Sequence, residues 1–355
     1  MKYGKFSTPL VTMHVLLLSA AIANAQQTPP GWIPGLGPAT QPAWSGPMSP
    51  DVLPGNGMAQ HPFLYAGEWD NLKPVQTMSI VRDGKVVWTY TIPSQEKGQI
   101  SEFSDATMLS DGSIVFSRKT GARKITADKK TVWDYVAPDG YEVHACQPIG
   151  LDRVLMIQNG KQAKLMLVNL TTGKTETEFN LATNPAGPVH TQFRRVRMTA
   201  AGTFLVPHKD MDKVVEYDQT GKEIWSVNVP VPWSAVRLKS GNTLVSSGST
   251  QVIREFNPKG EVVWQLEQKD IPNIRLFSLQ EADRLANGNT IISNWCPNAV
   301  KDQKQWPTTV QLLEVTPDKK VVWALRQWAS PDLGPATCIQ LLDEPGIPEK
   351  FEQQR

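Results

Sequence analysis

The chain has 355 residues, with 36 Lys plus Arg against 34 Asp plus Glu, a formal charge of +2. Residues 1–25 carry Lys2 and Lys5 and no acid, so without them the balance is 34 against 34, and a neutral chain lacks the basic footprint that a general nucleic-acid binder needs to displace counterions. Hydrophobic content of 40% is enough for a core and too low for a multi-span membrane protein, while 25 Gly, 28 Pro and 12 Trp suit a turn-rich all-β chain.

Taken from the N-terminus, residues 1–25 read as an export signal. Lys2 and Lys5 are followed by an apolar stretch, Val11–Ala21, and by Ala23-Asn24-Ala25, which predicts cleavage after Ala25 and a secreted or periplasmic protein. The stretch is short for a bilayer span, so no membrane span is expected. Residues 26–56 follow as a Pro/Gly-rich leader, and residues 28–56 hold eight Pro and five Gly, a composition that sustains neither a helix nor a central strand. This segment is expected to lie extended on the domain or to tether it. Cys146, Cys296 and Cys338 are widely spaced and form no CxxC pair, so at most one disulfide can form and buried free thiols are the simpler expectation.

From residue 57 to 345 one phrase recurs: a tight turn, two or three β-branched residues, then Trp. It reads DGKVVW (Asp83–Trp88), DKKTVW (Asp128–Trp133), TGKEIW (Thr220–Trp225), KGEVVW (Lys259–Trp264) and DKKVVW (Asp318–Trp323), with TGKTETEF (Thr172–Phe179) as a weaker copy ending in Phe. The terminal aromatics are 45, 46, 46, 39 and 59 residues apart, a period typical of propellers and solenoids. Within residues 234–264, turns at Gly241-Asn242, Gly248 and Asn257–Gly260 separate four short strands, which make one propeller blade. Five units are complete. The sixth begins at His61 without an innermost strand, and Ala336–Leu342 resembles the missing one. The expected fold is an all-β, six-bladed β-propeller of four-stranded blades, closed by a C-terminal velcro strand, with residues 346–355 as a polar tail. Seven blades are the alternative if the leader contributes strands.

The D-x-x-G-K-x-x-W phrase followed by L-x-x-G-N-T-(L/I) resembles the quinoprotein-like, or PQQ-like, propeller repeat of pyrroloquinoline-quinone dehydrogenases, outer-membrane assembly lipoproteins of the BamB type and bacterial arylsulfotransferases. The likeness covers residues 57–345 and lies in blade-packing residues, so it implies the fold more directly than an activity. The quinone dehydrogenases imply a vicinal disulfide over the cofactor, and no Cys-Cys pair occurs here. Arylsulfotransferases imply an axial histidine as nucleophile.

Loops entering the innermost strands and loops joining second to third strands share one propeller face. Repeat alignment puts Asp105, His144, Arg194, Ser234 and Glu281 at the entry to the innermost strands, and Glu68, Arg118, Lys119, Asn159, His208, Lys209, Asn294 and Trp295 in the second-to-third-strand loops, with His190 and Arg195 beside Arg194. Carboxylates, imidazoles and guanidinium groups converging on one axis point to a small anionic or glycan ligand. His144, Arg194 and His208 are the candidate catalytic residues for lyase or transferase chemistry. Asp105, Glu281, Ser234, Arg118, Lys209, His190, Asn294 and Trp295 are the candidate ligand-binding residues. No metal site and no cofactor is expected. An envelope scaffold with a protein partner is the alternative, and quinone-dependent oxidation, which requires a flat aromatic slot on the axis, is a third. The insertion at Trp295–Trp306 is expected either to confer specificity or to dock the leader.

Overall fold

The structure, a computed structural model, describes residues 44–67, 73–96 and 98–354, together with Met1, 32–33 and 37–38. Apart from Met1, the expected export signal lies outside the described residues, as do Glu68 and the first part of the leader apart from 32–33 and 37–38. No helix among the described residues is long and apolar enough to cross a membrane.

Six four-stranded antiparallel sheets form six blades. Blade 1 pairs Ala336–Leu341, innermost, with Phe63–Gly67, then Val75–Arg82 and Lys85–Pro93. The tail of the chain therefore completes the sheet begun near residue 61, as the sequence predicts. Blade 2 comprises Asp105–Met108, Ile114–Ser117, Gly121–Ile125 and Thr131–Val136, and blade 3 Glu142–Ile149, Arg153–Asn159, Lys164–Asn169 and Thr175–Asn180. Blade 4 is Arg197–Met198, Phe204–His208, Lys213–Tyr217 and Glu223–Asn228. Blade 5 is Pro232–Arg237, Thr243–Ser247, Val252–Phe256 and Val262–Leu266; blade 6 is Ser278–Arg284, Thr290–Trp295, Leu312–Val315 and Val321–Leu325. Closing the ring gives Phe63–Gly67 its inner neighbour, so this strand has no unpaired edge.

At three seams the repeated Trp fastens one blade to the next. The indole N–H of Trp88 donates to the Ala127 carbonyl at 3.0 Å, that of Trp225 to Pro258 at 3.0 Å and that of Trp264 to Pro317 at 2.8 Å, each acceptor lying in a turn of the following blade. In the weaker copy Thr177, not Phe179, takes the ladder position of the Trp, and Phe179 lies two residues on, where Tyr135 sits in blade 2. Two residues is one strand period, so the ring stays on the same face.

Three seams add an ionic clasp. Opposite the Trp on the third strand stand Glu216, Glu255 and Glu314. Arg237 of blade 5 bonds Glu216 and stacks on Trp225, while Arg284 of blade 6 bonds Glu255 at 2.6 Å and stacks on Trp264 at 4.9 Å. His61 takes the arginine's place against Glu314 at 3.0 Å.

The leader is docked. The Ala324 N–H donates to the Pro54 carbonyl at 3.0 Å, and Trp323 donates to Gly57 at 2.8 Å, so residues 54–57 cover the outer strand of blade 6. Gly55 has φ +85°, and a Cβ there would lie 2.6 Å from Trp323 Cδ1, so only glycine allows this approach. The 296–310 insertion serves the same docking: Met48 packs against Phe277, Cys296, Val300 and Trp306, and the Ser49 hydroxyl donates to Thr308 O at 2.6 Å. Trp32–Ile33 pairs with Gly37–Pro38 in a two-residue ladder that belongs to no blade. At the other end, the polar tail folds back across the face opposite the loops: Gly150 donates to the Glu349 carbonyl at 2.9 Å and the Gln354 amide to Met198 O at 3.1 Å.

Candidate functional site

Four innermost strands carry a bulge near their entry. The register skips one residue at His144, Trp233, Gln280 and Thr337. A bulge re-aims a side chain. Here it places these residues one layer above the ladder positions of Asp105, Ser234 and Glu281, which pair with Ser117, Ser246 and Ser293. His144 is therefore not the structural equivalent of Asp105 and Glu281, and the axis holds two polar layers rather than one.

The deeper layer is an ionic plug. Arg197 makes a bidentate pair with Asp105 at 2.8 and 3.0 Å and lies 3.5 Å from Glu281. Arg195 lies 3.6 Å from Asp105 and 3.8 Å from Glu281, and donates to Thr337 O at 3.0 Å and to Ser104 O. Glu281 also accepts from the Ile339 N–H at 2.8 Å. Burial raises the Glu281 carboxyl to about 7, with Arg195 opposing and Asp283 adding to the shift. These four side chains fill the axis where an aromatic slot for a quinone would lie, so the residues present do not fit that cofactor.

Above the plug lies a chain of acids and imidazoles. His144 Nδ1 is 2.9 Å from Glu102 and 3.0 Å from the Ser104 hydroxyl, and its Nε2 is 2.7 Å from Glu142. The same Glu142 oxygen, Oε2, is 2.9 Å from His190 Nδ1. Arg194 bonds Glu102 at 3.2 Å and the His190 carbonyl at 2.9 Å, and its guanidinium stacks on Trp233 at 5.0 Å; Lys209 lies 5.0 Å from the same ring. Lys119 approaches Glu142 at 3.7 Å.

Burial alone would raise Glu102 and Glu142. Hydrogen bonds and charge from His144 outweigh it in both, with Arg194 helping at Glu102 and His190 at Glu142, so both stay well below the usual carboxylate range. Burial and then the Arg194 charge lower His190 to about 4, against the pull of Glu142. At pH 7 its Nδ1–H points at Glu142, and its Nε2 makes no hydrogen bond among the described residues. The His190 side chain is 31% exposed and that of His144 0%, so His190 is the imidazole open to a ligand.

Among the described residues, two trios offer ligand atoms within 4.8 Å of one another, Glu102–His144–His190 and Asp105–Glu281–Cys338. In each a guanidinium, from Arg194 or from Arg195 and Arg197, already supplies the positive charge. All three cysteines are buried and free, and burial pushes the Cys296 thiol up to about 12.

Of the remaining residues singled out in the sequence, Ser234 shares the deeper layer and the others lie apart from both. Ser234 bonds the Ser246 hydroxyl at 2.8 Å. The ends of the second strands clip loop backbone: Asn294 holds Phe277, Arg275 and Val310, and Asn159 holds Val189 and Phe193. His208 is fully buried with both ring nitrogens engaged, by Tyr217 Oη at 2.8 Å and Ala182 O at 3.1 Å. Arg118 is spent on Glu96 and Asp134, and Trp295 is buried at the end of its strand. Sequence reasoning missed Glu102, Glu142 and Arg197. Glu142 and His144 stand two apart on one strand, a spacing that marks a shared face, but Glu102 precedes its strand and carries no such signal.

The family model described as outer membrane protein assembly factor BamB matches residues 161–294. No curated protein matches the chain. Among solved structures, a protein of unknown function from Bacteroides caccae is 26% identical with a TM-score of 0.67, over 79% of this chain and 97% of that one. A catalytically inactive histidine-to-alanine variant of virginiamycin B lyase from Staphylococcus aureus, solved with quinupristin, is 14% identical with a TM-score of 0.51, over 76% and 87%. A streptogramin B lyase is 11% identical with a TM-score of 0.50, over 83% and 96%. The chain carries the PQQ-like propeller repeat, and the two lyases share its fold.

Proposed function

We propose that this protein is an exported propeller that binds a small anionic or carbohydrate ligand in the funnel above the ionic plug, with lyase or transferase chemistry centred on His190. The observation that carries this reading is the uncommitted Nε2 of His190, with Nδ1 fixed on Glu142. A carboxylate that fixes the tautomer leaves the opposite lone pair aimed at substrate, the arrangement of a general base or nucleophile. His144, Glu102 and Arg194 hold this pair in place. Arg194 bonds Glu102 and the His190 carbonyl and stacks on Trp233, so it positions the base rather than clamping the ligand. Lys119 and Lys209 supply positive charge, and a bound anion would raise the proton affinity of His190 toward neutrality.

For a uronate substrate, His190 Nε2 takes the proton α to the carboxylate, and the electron pair forms the ring double bond as the glycosidic C–O bond breaks and its oxygen takes a proton from solvent water. The test is incubation with polyuronates, followed by ultraviolet absorbance of the unsaturated product, for the wild type and for His190→Asn and Glu142→Gln. Turnover lost in both variants with an unchanged melting temperature supports the reading. Equal turnover in all three overturns it. An envelope scaffold is the second reading, favoured by the plug across the axis and by the tail over the opposite face. It expects partner capture from envelope extracts to survive both substitutions.

A further inference from the structure

The clasp of carboxylate, arginine and tryptophan is absent from the seam between blades 1 and 2. The residue opposite Trp88 is Ile80. The last paired residue of the innermost strand, arginine in blades 5 and 6, is Met108. Neither side chain spans the gap that a glutamate and an arginine bridge elsewhere, and a cavity of about 410 Å³ remains, lined by Ile80, Trp88, Met108, Leu109, Leu342 and Ile347. The folded-back tail forms one wall through Gly346, Ile347 and Pro348. Trp88, Met108, Leu342 and Ile347 are only half-buried, so these apolar side chains still face open space.

The lining also contains one cation. Arg82 is exposed, and its guanidinium makes no hydrogen bond or ion pair among the described residues. Glu344, the one carboxylate in the lining, accepts from the Ala286 N–H at 2.9 Å. Glu216 and Glu255 pair with the arginines of the other seams, whereas Arg82 is left to meet an anion from outside.

We propose that this cavity is a second binding site, separate from the funnel and independent of its reading, for a small amphipathic carboxylate. An unbranched apolar chain lies on Trp88 and Met108, and its carboxylate meets Arg82. The volume falls in the range of small-molecule pockets.

The test is isothermal titration with dodecanoate below its micelle concentration, with dodecanol as the neutral control. Saturable one-site binding of dodecanoate is expected. Arg82→Gln should weaken it about tenfold, the loss of one charge-assisted contact, and leave dodecanol unchanged. The pair Ile80→Glu and Met108→Arg, which rebuilds the clasp of the seams between blades 4 and 5 and between blades 5 and 6, should abolish binding of both ligands. Met108→Glu, which takes up Arg82 and sets a second carboxylate against that of the ligand, should abolish dodecanoate binding if the double variant fails to fold. No saturable binding to the wild type overturns the proposal. So does dodecanoate binding undiminished in Met108→Glu, or dodecanoate binding lost on His190→Asn, which would put the ligand in the funnel.

Discussion

His208 gives the sharpest forecast of acid behaviour. Its ring accepts from Tyr217 and donates to Ala182, a neutral tautomer enclosed at 0% exposure. Burial, then the Lys213 charge, lowers it from 6.5 to about 3. Because the folded value is depressed, the unfolded chain takes up this proton first. The stability His208 contributes is complete above pH 6.5 and is lost as pH falls toward 3. At pH 4.5 the gap of two pH units below the unfolded value corresponds to about 2–3 kcal/mol. Urea unfolding at pH 7 and pH 4.5 measures this loss, and His208→Gln removes it. The variant is less stable at pH 7, since the Tyr217 hydroxyl loses a buried partner at about 1–3 kcal/mol. Its drop between the two pH values should nevertheless be smaller than that of the wild type by about 2–3 kcal/mol. An equal drop in both proteins refutes the assignment of His208 as a neutral, enclosed ring.

Glu281 acts in the opposite sense. With its carboxyl raised to about 7, the folded protein holds a proton that the unfolded chain releases near pH 4.5, so its contribution is lost as pH rises between those values; Glu281→Gln, which keeps the acceptor for Ile339 N–H, should gain stability relative to the wild type from pH 5 to pH 8 in the same unfolding assay. Gly55→Ala should lift the leader from Trp323 at a cost of about 1–3 kcal/mol, read as faster proteolysis within residues 44–57 with the six blades intact.

The architecture was legible because it rests on local, repeated chemistry. An aromatic recurring every 39 to 59 residues, Trp in five blades and Phe in the other, marks the outer strands, and the resemblance of Ala336–Leu342 to an innermost strand discloses the closure. The site was legible only in part, because it depends on offsets that a repeat conceals. A bulge carries no residue signature, so His144 aligned with Asp105 and Glu281 although it sits one layer above them. His208 and Asn294 read as candidate chemistry because polar residues at strand ends look alike whether they face a ligand or clip a buried loop. The partly exposed imidazole is His190, in a loop between blades 3 and 4, where spacing says nothing of which imidazole keeps a nitrogen open.

Ring closure also dictates a timetable for synthesis. Phe63–Gly67, buried throughout, is among the first strands to leave the ribosome, yet its inner neighbour is made some 270 residues later. Until residue 341 is available, the nascent chain carries an apolar strand with one naked edge, a template for misassociation. Products that stop before residue 336 lack the closing strand altogether and stand exposed to chaperones and proteases.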